Sequence, residues 1–188
     1  MKVRNDLAFQ EKKEKIMQAC FDCFAEYGLY GTGLSSLAKH ANVSKSTLYV
    51  YFPNIDELIT QSTEYCMSKI EGDFMEKSPQ SIADVEKFLN EVPYWTAQRH
   101  GKMYRLMYQV YTHPKYSEAG NRFFSGVNER YKAYAQSLQS KLGIPEEALT
   151  PLIFVFIRAC VHYALFADEF YLTSQLGFLT KSIQSYKK

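Results

Sequence analysis

The sequence predicts an all-α fold with about nine helices. Apolar residues recur at spacings of three and four through most of the chain, which is the period of a helix with one buried face. No segment shows the strict alternation of apolar and polar residues that is typical of a strand. With 188 residues, of which 46% are hydrophobic, the chain is long enough to bury a core.

We expect two domains, residues 1–58 and residues 59–188, linked by a fourth helix over about 54–72. Five of the first ten residues are charged or polar, and we expect this segment to form a loose arm. Helix one then runs from about 11 to 27, and Gly28 ends it as a C-terminal cap. Its apolar face consists of Ile16, Ala19, Cys20, Cys23, Phe24 and Tyr27.

Residues 34–52 predict two short helices joined by a tight turn. Asn42 suits a left-handed turn conformation, and Ser44 is the expected N-cap of the second helix. Leu48 and Phe52 are its inward residues. Two helices at a fixed angle, with short polar residues on the leading turn of the second, are typical of a helix-turn-helix that reads DNA.

The distribution of charged residues along the chain favours DNA binding more than the net charge does. The net charge of +2 is too small to indicate a nonspecific nucleic-acid binder. Between Tyr27 and Ile55, however, the chain has no Asp or Glu, while Lys39, His40 and Lys45 lie in that segment. A surface without acidic residues does not repel phosphates.

The segment from Ile16 to Leu58 resembles the DNA-binding domain of the TetR family of bacterial transcriptional regulators. The resemblance covers about a quarter of the chain, and the run Val43-Ser44-Lys45 followed by Thr47-Leu48-Tyr49 is its most specific part. It implies a sequence-specific regulator, usually a repressor, without a cofactor or an enzymatic activity. The DNA contacts it implies come from Thr32, Ser35, Lys39, Lys45, Ser46, Thr47, Tyr49 and Tyr51.

Several of these roles have alternatives. Thr32 could contact a phosphate at the start of helix two or serve only as a helix cap. Lys45 could donate to guanine or to a phosphate, and Tyr49 and Tyr51 could instead pack in the core. At Ile55 the family commonly has a lysine that faces DNA, so this chain lacks one expected phosphate contact.

The second domain shows only helical patterns. We expect helices over 82–98, with a kink at Pro93, over 101–112, and over about 116–142, ended by Gly143. Residues up to about 167 form an apolar helix that begins near Pro145 or Pro151, and 171–186 form the last helix. The resemblance implies that this domain dimerises and binds an effector.

For dimerisation, the last helix carries a stripe of four aliphatic residues. In the family the last two helices of each subunit pack as a four-helix bundle. A two-fold homodimer would present its two DNA-reading helices to a palindromic operator. The stripe consists of Leu172, Leu176, Leu179 and Ile183.

For effector binding, aromatic rings and flexible methionines of the middle helices suit a small hydrophobic or aromatic ligand. Each of them could equally be a core residue. Two polar residues among them, Arg158 and His162, could bind an anionic group or lie on the subunit interface. The candidates are Trp95, Met103, Tyr104, Met107, Tyr108, Tyr111, Phe124, Phe154, Arg158, His162 and Phe166.

Other classes of function find less support. Cys20 and Cys23 form a C-x-x-C without a second pair, so we interpret them as buried hydrophobic residues and not as metal ligands. We find no catalytic constellation, which disfavours an enzyme or a helical small-molecule carrier with an incidental helix-turn-helix. An effector-independent dimeric regulator stays an alternative.

The polar N-terminus and the residues Arg158 and His162 within the most apolar run predict a cytoplasmic protein without a membrane span.

Overall fold

The chain folds into nine α-helices and one short 3₁₀ helix within residues 2–186, which are the residues that this computed structural model describes. Strands are absent from that range, and the predicted all-α class is confirmed. The helices are α1 (Lys2–Tyr27), α2 (Leu34–His40), α3 (Lys45–Tyr51), α4 (Ile55–Glu76), α5 (Val85–Tyr111), the 3₁₀ helix η1 (Pro114–Tyr116), α6 (Ser117–Ser125), α7 (Val127–Leu142), α8 (Glu146–Phe166) and α9 (Glu169–Gln184).

The prediction of a loose N-terminal arm was wrong. Helix α1 begins at Lys2, because residues 2–10 contain neither glycine nor proline and nothing in them stops a helix. Phe9 stacks on Tyr51 with ring centroids 4.4 Å apart, which ties this extra length of helix to α3. Met1 and the side chains of residues 1–5 lie outside the described part of the chain.

Two helix boundaries of the middle region also differ from the prediction. Helix α5 continues through Gly101, where we expected a break, and it contains Pro93, at which the kink stays a prediction. Conversely, the helix expected over 116–142 is interrupted at Gly126. Gly126 serves as the N-cap of α7, without a side-chain hydrogen bond.

The chain divides into two compact units. The first comprises the described residues up to Ile70 together with Arg105–Asn121, and the second comprises Glu71–Tyr104 and the residues from Arg122 onward. Most of α4 belongs to the first unit because it is bonded to α1. The Tyr65 hydroxyl of α4 donates to Glu14 of α1 over 3.3 Å. The boundary between the two functional domains, which we expected at residue 58, stays a prediction.

Within the first unit, η1 is attached to the start of α4 through one carboxylate. The Tyr116 hydroxyl donates to Asp56 Oδ1 over 2.9 Å, and Lys115 Nζ lies 2.8 Å from the same oxygen. The hydrogen bond from Lys115 is the largest of the effects that lower the pKa of Asp56 below its ordinary value of 3.8.

The Asp56 contacts predict a pH-dependent contribution to stability. A carboxyl with a lowered pKa stabilises the folded state above 3.8, and this contribution is lost as the pH falls through the lowered value. We expect Asp56→Asn to reduce the free energy of unfolding at pH 7 by at most about 1 kcal/mol, since solvent screens these part-exposed charges. Urea unfolding at pH 7 and at low pH measures the difference, which should vanish in acid. A difference that persists there would contradict the assignment.

The core of the second unit is built by α7, α8 and α9 with the start of α5. By length and composition α8 could cross a membrane, but seven of its side chains are buried in the described structure. Its apolar character is explained by this packing. The most buried members of the cluster are Ala135, Ile144, Ala159, Cys160, Leu172 and Leu179.

Candidate nucleic-acid interface

The turn between α2 and α3 has the conformation that its residues predict. Asn42 has φ 52°, in the left-handed region, and the next amide, of Val43, donates to the Ala38 carbonyl over 2.9 Å. Ser44 caps α3, since its hydroxyl oxygen accepts from the Thr47 amide over 3.0 Å. These local bonds fix where α3 begins relative to α2.

One face of α3 is buried and the other is open to solvent. Leu48 and Phe52 are 1% and 2% exposed, as predicted, and they anchor the helix in the core of the first unit. Tyr49 is 55% exposed, which excludes the alternative that it packs in the core. Lys45 and Ser46 are also exposed.

Val50 is a surface residue that the sequence reasoning missed. It is 69% exposed beside Tyr49, although a valine is ordinarily placed in the interior. Its position two residues after Leu48, off the buried face, was the available signal. An exposed methyl-bearing side chain on such a helix can contact the C5-methyl group of thymine.

The hydroxyl groups at the start of α3 are partly engaged with one another. Ser44 Oγ lies 2.7 Å from Ser46 Oγ and 2.8 Å from Thr47 Oγ1. A hydroxyl oxygen that shares one proton still has lone pairs to offer. Ser46 and Thr47 can therefore contact DNA while they support the cap.

Thr32 does not cap α2, which was one of its two predicted roles. Its hydroxyl donates to the Gly28 carbonyl over 2.8 Å, and the residue is only 6% exposed. The cap of α2 is Gly33, with φ −85° and ψ 163°, so the helix-cap interpretation of Thr32 was wrong. Its hydroxyl instead bonds to the carbonyl of Gly28, the residue that follows α1. The phosphate contact stays a prediction.

Tyr51 and the α2 residues complete the candidate interface. Tyr51 is half-buried against Phe9, whereas Ser35 and Lys39 are exposed on α2. The first acidic residue after this segment is Asp56, which is paired with Lys115. The exposed side of α2 and α3 is therefore positive, as phosphate binding requires.

The cysteines of the first unit are unreactive. Cys20 and Cys23 are fully buried, which confirms that they are small core residues. Burial raises the pKa of Cys20 and of Cys66 to about 12, so both thiols stay protonated at neutral pH. In the described residues no group of three potential ligands is placed to hold a metal ion.

Known proteins match both the interface and the length of the chain. Residues 16–61 match the model of the bacterial regulatory proteins of the tetR family. The chain is 25% identical over 166 residues to IcaR, the negative transcriptional regulator of the biofilm operon icaADBC of Staphylococcus aureus, covering 84% of this chain and 87% of IcaR. The segment that forms the candidate interface therefore matches the tetR family, and over most of its length the chain is similar to a transcriptional regulator.

Further relatives agree with this assignment. LmrA, a transcriptional regulator of Bacillus subtilis, is 31% identical over 91 residues, which cover 46% of this chain and 48% of LmrA. A TetR regulator of Haloarcula marismortui superposes with a TM-score of 0.68 at 16% identity over 94% and 98% of the two chains. Thermus thermophilus FadR, a TetR-family repressor solved with lauroyl-CoA, gives 0.56 at 14% identity over 94% and 95%. These two structures support the fold.

The predicted dimer stripe on α9 is part of the protein's own core. Leu172, Leu176, Leu179 and Ile183 are between 0% and 8% exposed, and they pack within the second unit. They are unavailable to a second copy, so the prediction that they form its interface was wrong. A periodic stripe shows that a helix face is buried, but not what buries it.

The opposite face of α9 is the exposed one. Phe170 and Phe178 are 83% and 53% exposed, and Phe166 at the end of α8 is 67% exposed. A Cβ added at Gly177 would meet no atom within 4 Å. These three phenylalanines are an unusual amount of exposed aromatic surface.

The predicted effector residues differ in their exposure to solvent. Tyr104, Met107 and Tyr111 are buried, Arg158 is exposed, and Phe166 lies on the surface and not in a pocket. The guanidinium of Arg158 lies 5.9 Å from the ring centroid of Phe124. The others are partly buried: Trp95, Met103, Tyr108, Phe124, Phe154 and His162.

His162 lies at the junction of α8 and α9. Its Nε2 is 3.4 Å from Asp168 Oδ2, and its ring centroid is 4.2 Å from that of Tyr171 and 4.9 Å from that of Phe166. Asp168 is the N-cap of α9, and the bond it accepts from the Tyr171 amide lowers the pKa of its carboxyl. These contacts give His162 a structural role at the junction.

The second unit contains a small cavity of about 50 Å³ with an apolar lining. None of the predicted effector residues belongs to its lining, within the part of the chain that is described. The lining residues are Phe74, Pro79, Val85, Phe88, Leu89, Tyr134, Leu138, Leu142, Leu149, Leu152, Ile153, Phe156, Leu179 and Ile183.

Proposed function

We propose that this chain is a cytoplasmic, sequence-specific DNA-binding repressor that binds a palindromic operator as a homodimer and is released by a small-molecule effector. The observation that carries the proposal is the exposed face of α3, where Lys45 and Tyr49 project from a capped helix in a segment without acidic residues. Repression is supported by the similarity to IcaR, which is a negative transcriptional regulator.

Dimerisation follows from the limited size of one recognition helix. Helix α3 has seven residues and presents few side chains to a groove, and a two-fold dimer doubles these contacts. Phe166, Phe170 and Phe178 support an interface on α8 and α9, because association would remove this apolar surface from water. In a two-fold dimer the same three phenylalanines of each subunit would face one another, so this surface would be self-complementary.

Release by an effector would result from thermodynamic linkage between DNA binding and effector binding. If DNA and the effector favour different conformations of the dimer, each ligand weakens the binding of the other by the same factor. FadR in complex with lauroyl-CoA shows that a protein of this fold holds a small molecule. An effector-independent dimer is distinguished by the lack of any ligand that dissociates it from its operator.

The proposal is tested by selecting binding sites from a pool of random duplexes with the purified full chain. We expect enriched sequences with two inverted half-sites, and affinity that falls with salt at a slope of about −0.9 per phosphate contact. A duplex with one half-site scrambled is the matched control and should bind far more weakly. Equal retention of all sequences over a range of salt concentrations would overturn the proposal.

A further inference from the structure

Helix α5 carries two buried polar side chains that lie one turn apart. Thr96 is 1% exposed and His100 is 4% exposed, and both belong to the second unit. Neither Thr96 Oγ1 nor the two ring nitrogens of His100 makes a hydrogen bond within the described structure. His100 Nε2 lies 3.4 Å from Asp73 Oδ2, at the outer limit of a contact. Buried polar atoms without partners are rare in folded proteins and often mark functional positions.

The state of Thr96 is not imposed by its position in a helix. Thr63 is equally buried, and its hydroxyl donates to the carbonyl of Ile59, four residues earlier, over 2.8 Å. Thr150 makes the same bond to Glu146 over 2.9 Å. Thr96 does not make this local bond, so its hydroxyl is free to bind another group.

The surroundings of the pair are mainly apolar. The ring of Trp95 meets the ring of His100 edge to face, with centroids 5.3 Å apart. Val92, one turn before Thr96, is buried, and a Cβ at Gly101 would lie 3.4 Å from the Ala164 carbonyl of α8. A ligand at this position would therefore have one polar group on an apolar body.

The charge of that polar group is restricted by the protein. Burial lowers the pKa of His100, so its imidazole is neutral at pH 7 and offers one donor and one acceptor. Asp73 Oδ2, which lies 3.4 Å from His100 Nε2, also accepts a hydrogen bond from Arg99 Nε over 3.3 Å. With its donor already provided by Arg99, this carboxylate disfavours a second anion beside the imidazole. Hydroxyl and amide groups match a neutral imidazole beside a threonine hydroxyl, whereas a carboxylate does not.

We infer that Thr96 and His100 are the polar end of the effector site, and that they bind the hydroxyl or amide group of a small neutral molecule with an apolar body. This inference rests on the proposed effector function and names the chemical class of the effector. Neither residue was among the predicted effector residues. The competing occupant is a single buried water, which would satisfy the same atoms without any ligand.

The inference is tested on the full chain without DNA, so that its failure is separate from a failure of operator binding. The probes are hexan-1-ol and hexanamide, with hexanoate as the charged match. Thermal unfolding reports binding, and the ¹⁵N resonances of His100 report contact with the imidazole. We expect both neutral probes to raise the Tm and to shift these resonances, and hexanoate to do neither.

Two variants and one control sharpen the test. Thr96→Val keeps the shape and removes the hydroxyl, and we expect it to weaken hexanamide binding about tenfold without loss of folding. His100→Leu should weaken it at least as much. Thr150→Val, whose hydroxyl bonds to its own helix, should bind the probe like the wild type. Unchanged resonances with every probe, equal binding by Thr96→Val, or equal binding of hexanoate would each overturn the inference.

Discussion

Alanine at Lys45 or at Tyr49 is expected to abolish most of the operator affinity while leaving the fold intact. Both side chains are exposed on α3, so their removal opens no cavity and should change the free energy of unfolding by less than about 0.5 kcal/mol. Each contact to DNA contributes about 1–3 kcal/mol, and the two-fold dimer would lose it twice. We therefore expect a loss of affinity between about thirtyfold and ten-thousandfold.

The two substitutions also distinguish contacts to bases from contacts to phosphates. If Lys45 donates to guanine, Lys45→Ala should relax the preference at one position of each half-site. If it contacts a phosphate, affinity should fall equally for all sequences, and the salt slope should decrease by about one for each lost contact. Tyr49→Phe removes only the hydroxyl and should reproduce the loss seen with alanine if that group binds a phosphate.

Titration of a fluorescent operator duplex at several salt concentrations measures these effects. Lys132→Ala, which removes an exposed lysine of α7 in the second unit, is the matched control and should bind within twofold of the wild type. If Lys45→Ala and Tyr49→Ala also bind within twofold, α3 is not the recognition helix.

Short-range signals explain why the turn between α2 and α3 and the cap of α3 could be predicted well. Asn42 and Ser44 act through bonds to residues within four positions, and these bonds form whatever the rest of the chain does. The spacing of Leu48 and Phe52 likewise defines the buried face of α3 without knowledge of its partners. Thr32 was harder, because a threonine before a helix can cap it, contact a phosphate or bond to an earlier carbonyl, and only the structure shows the bond to Gly28.

Features that depend on distant packing were predicted poorly. Pro93 and Gly101 have low helix propensity, yet packing keeps both within α5. Helical periodicity identified the buried stripe of α9 but could not tell whether α8 or a second subunit covers it. The pairing of Thr96 with His100 could not be recognised either, since a sequence does not show which buried hydroxyl lacks a partner.

The two faces of α9 are expected to respond to substitution in opposite ways. Leu172 is fully buried, so Leu172→Ala should lower the free energy of unfolding by about 2–5 kcal/mol through lost apolar contacts and a new cavity. Phe170 is 83% exposed, so Phe170→Ala leaves no cavity within the chain. Its effect should appear in self-association, where a two-fold interface loses each phenylalanine twice, at roughly 2–4 kcal/mol in total.

Protein concentration separates these effects. If a dimer forms through the exposed phenylalanines, its apparent stability rises with concentration, and Phe170→Ala should weaken this dependence. Sedimentation equilibrium should show a dimer dissociation constant about thirtyfold or more above that of the wild type. The lower free energy of unfolding of Leu172→Ala should instead persist at every protein concentration, because the lost contacts lie within one chain. An unchanged dimer in the double variant with Phe178→Ala would place the interface elsewhere, since together these substitutions remove most of the exposed aromatic surface of α9.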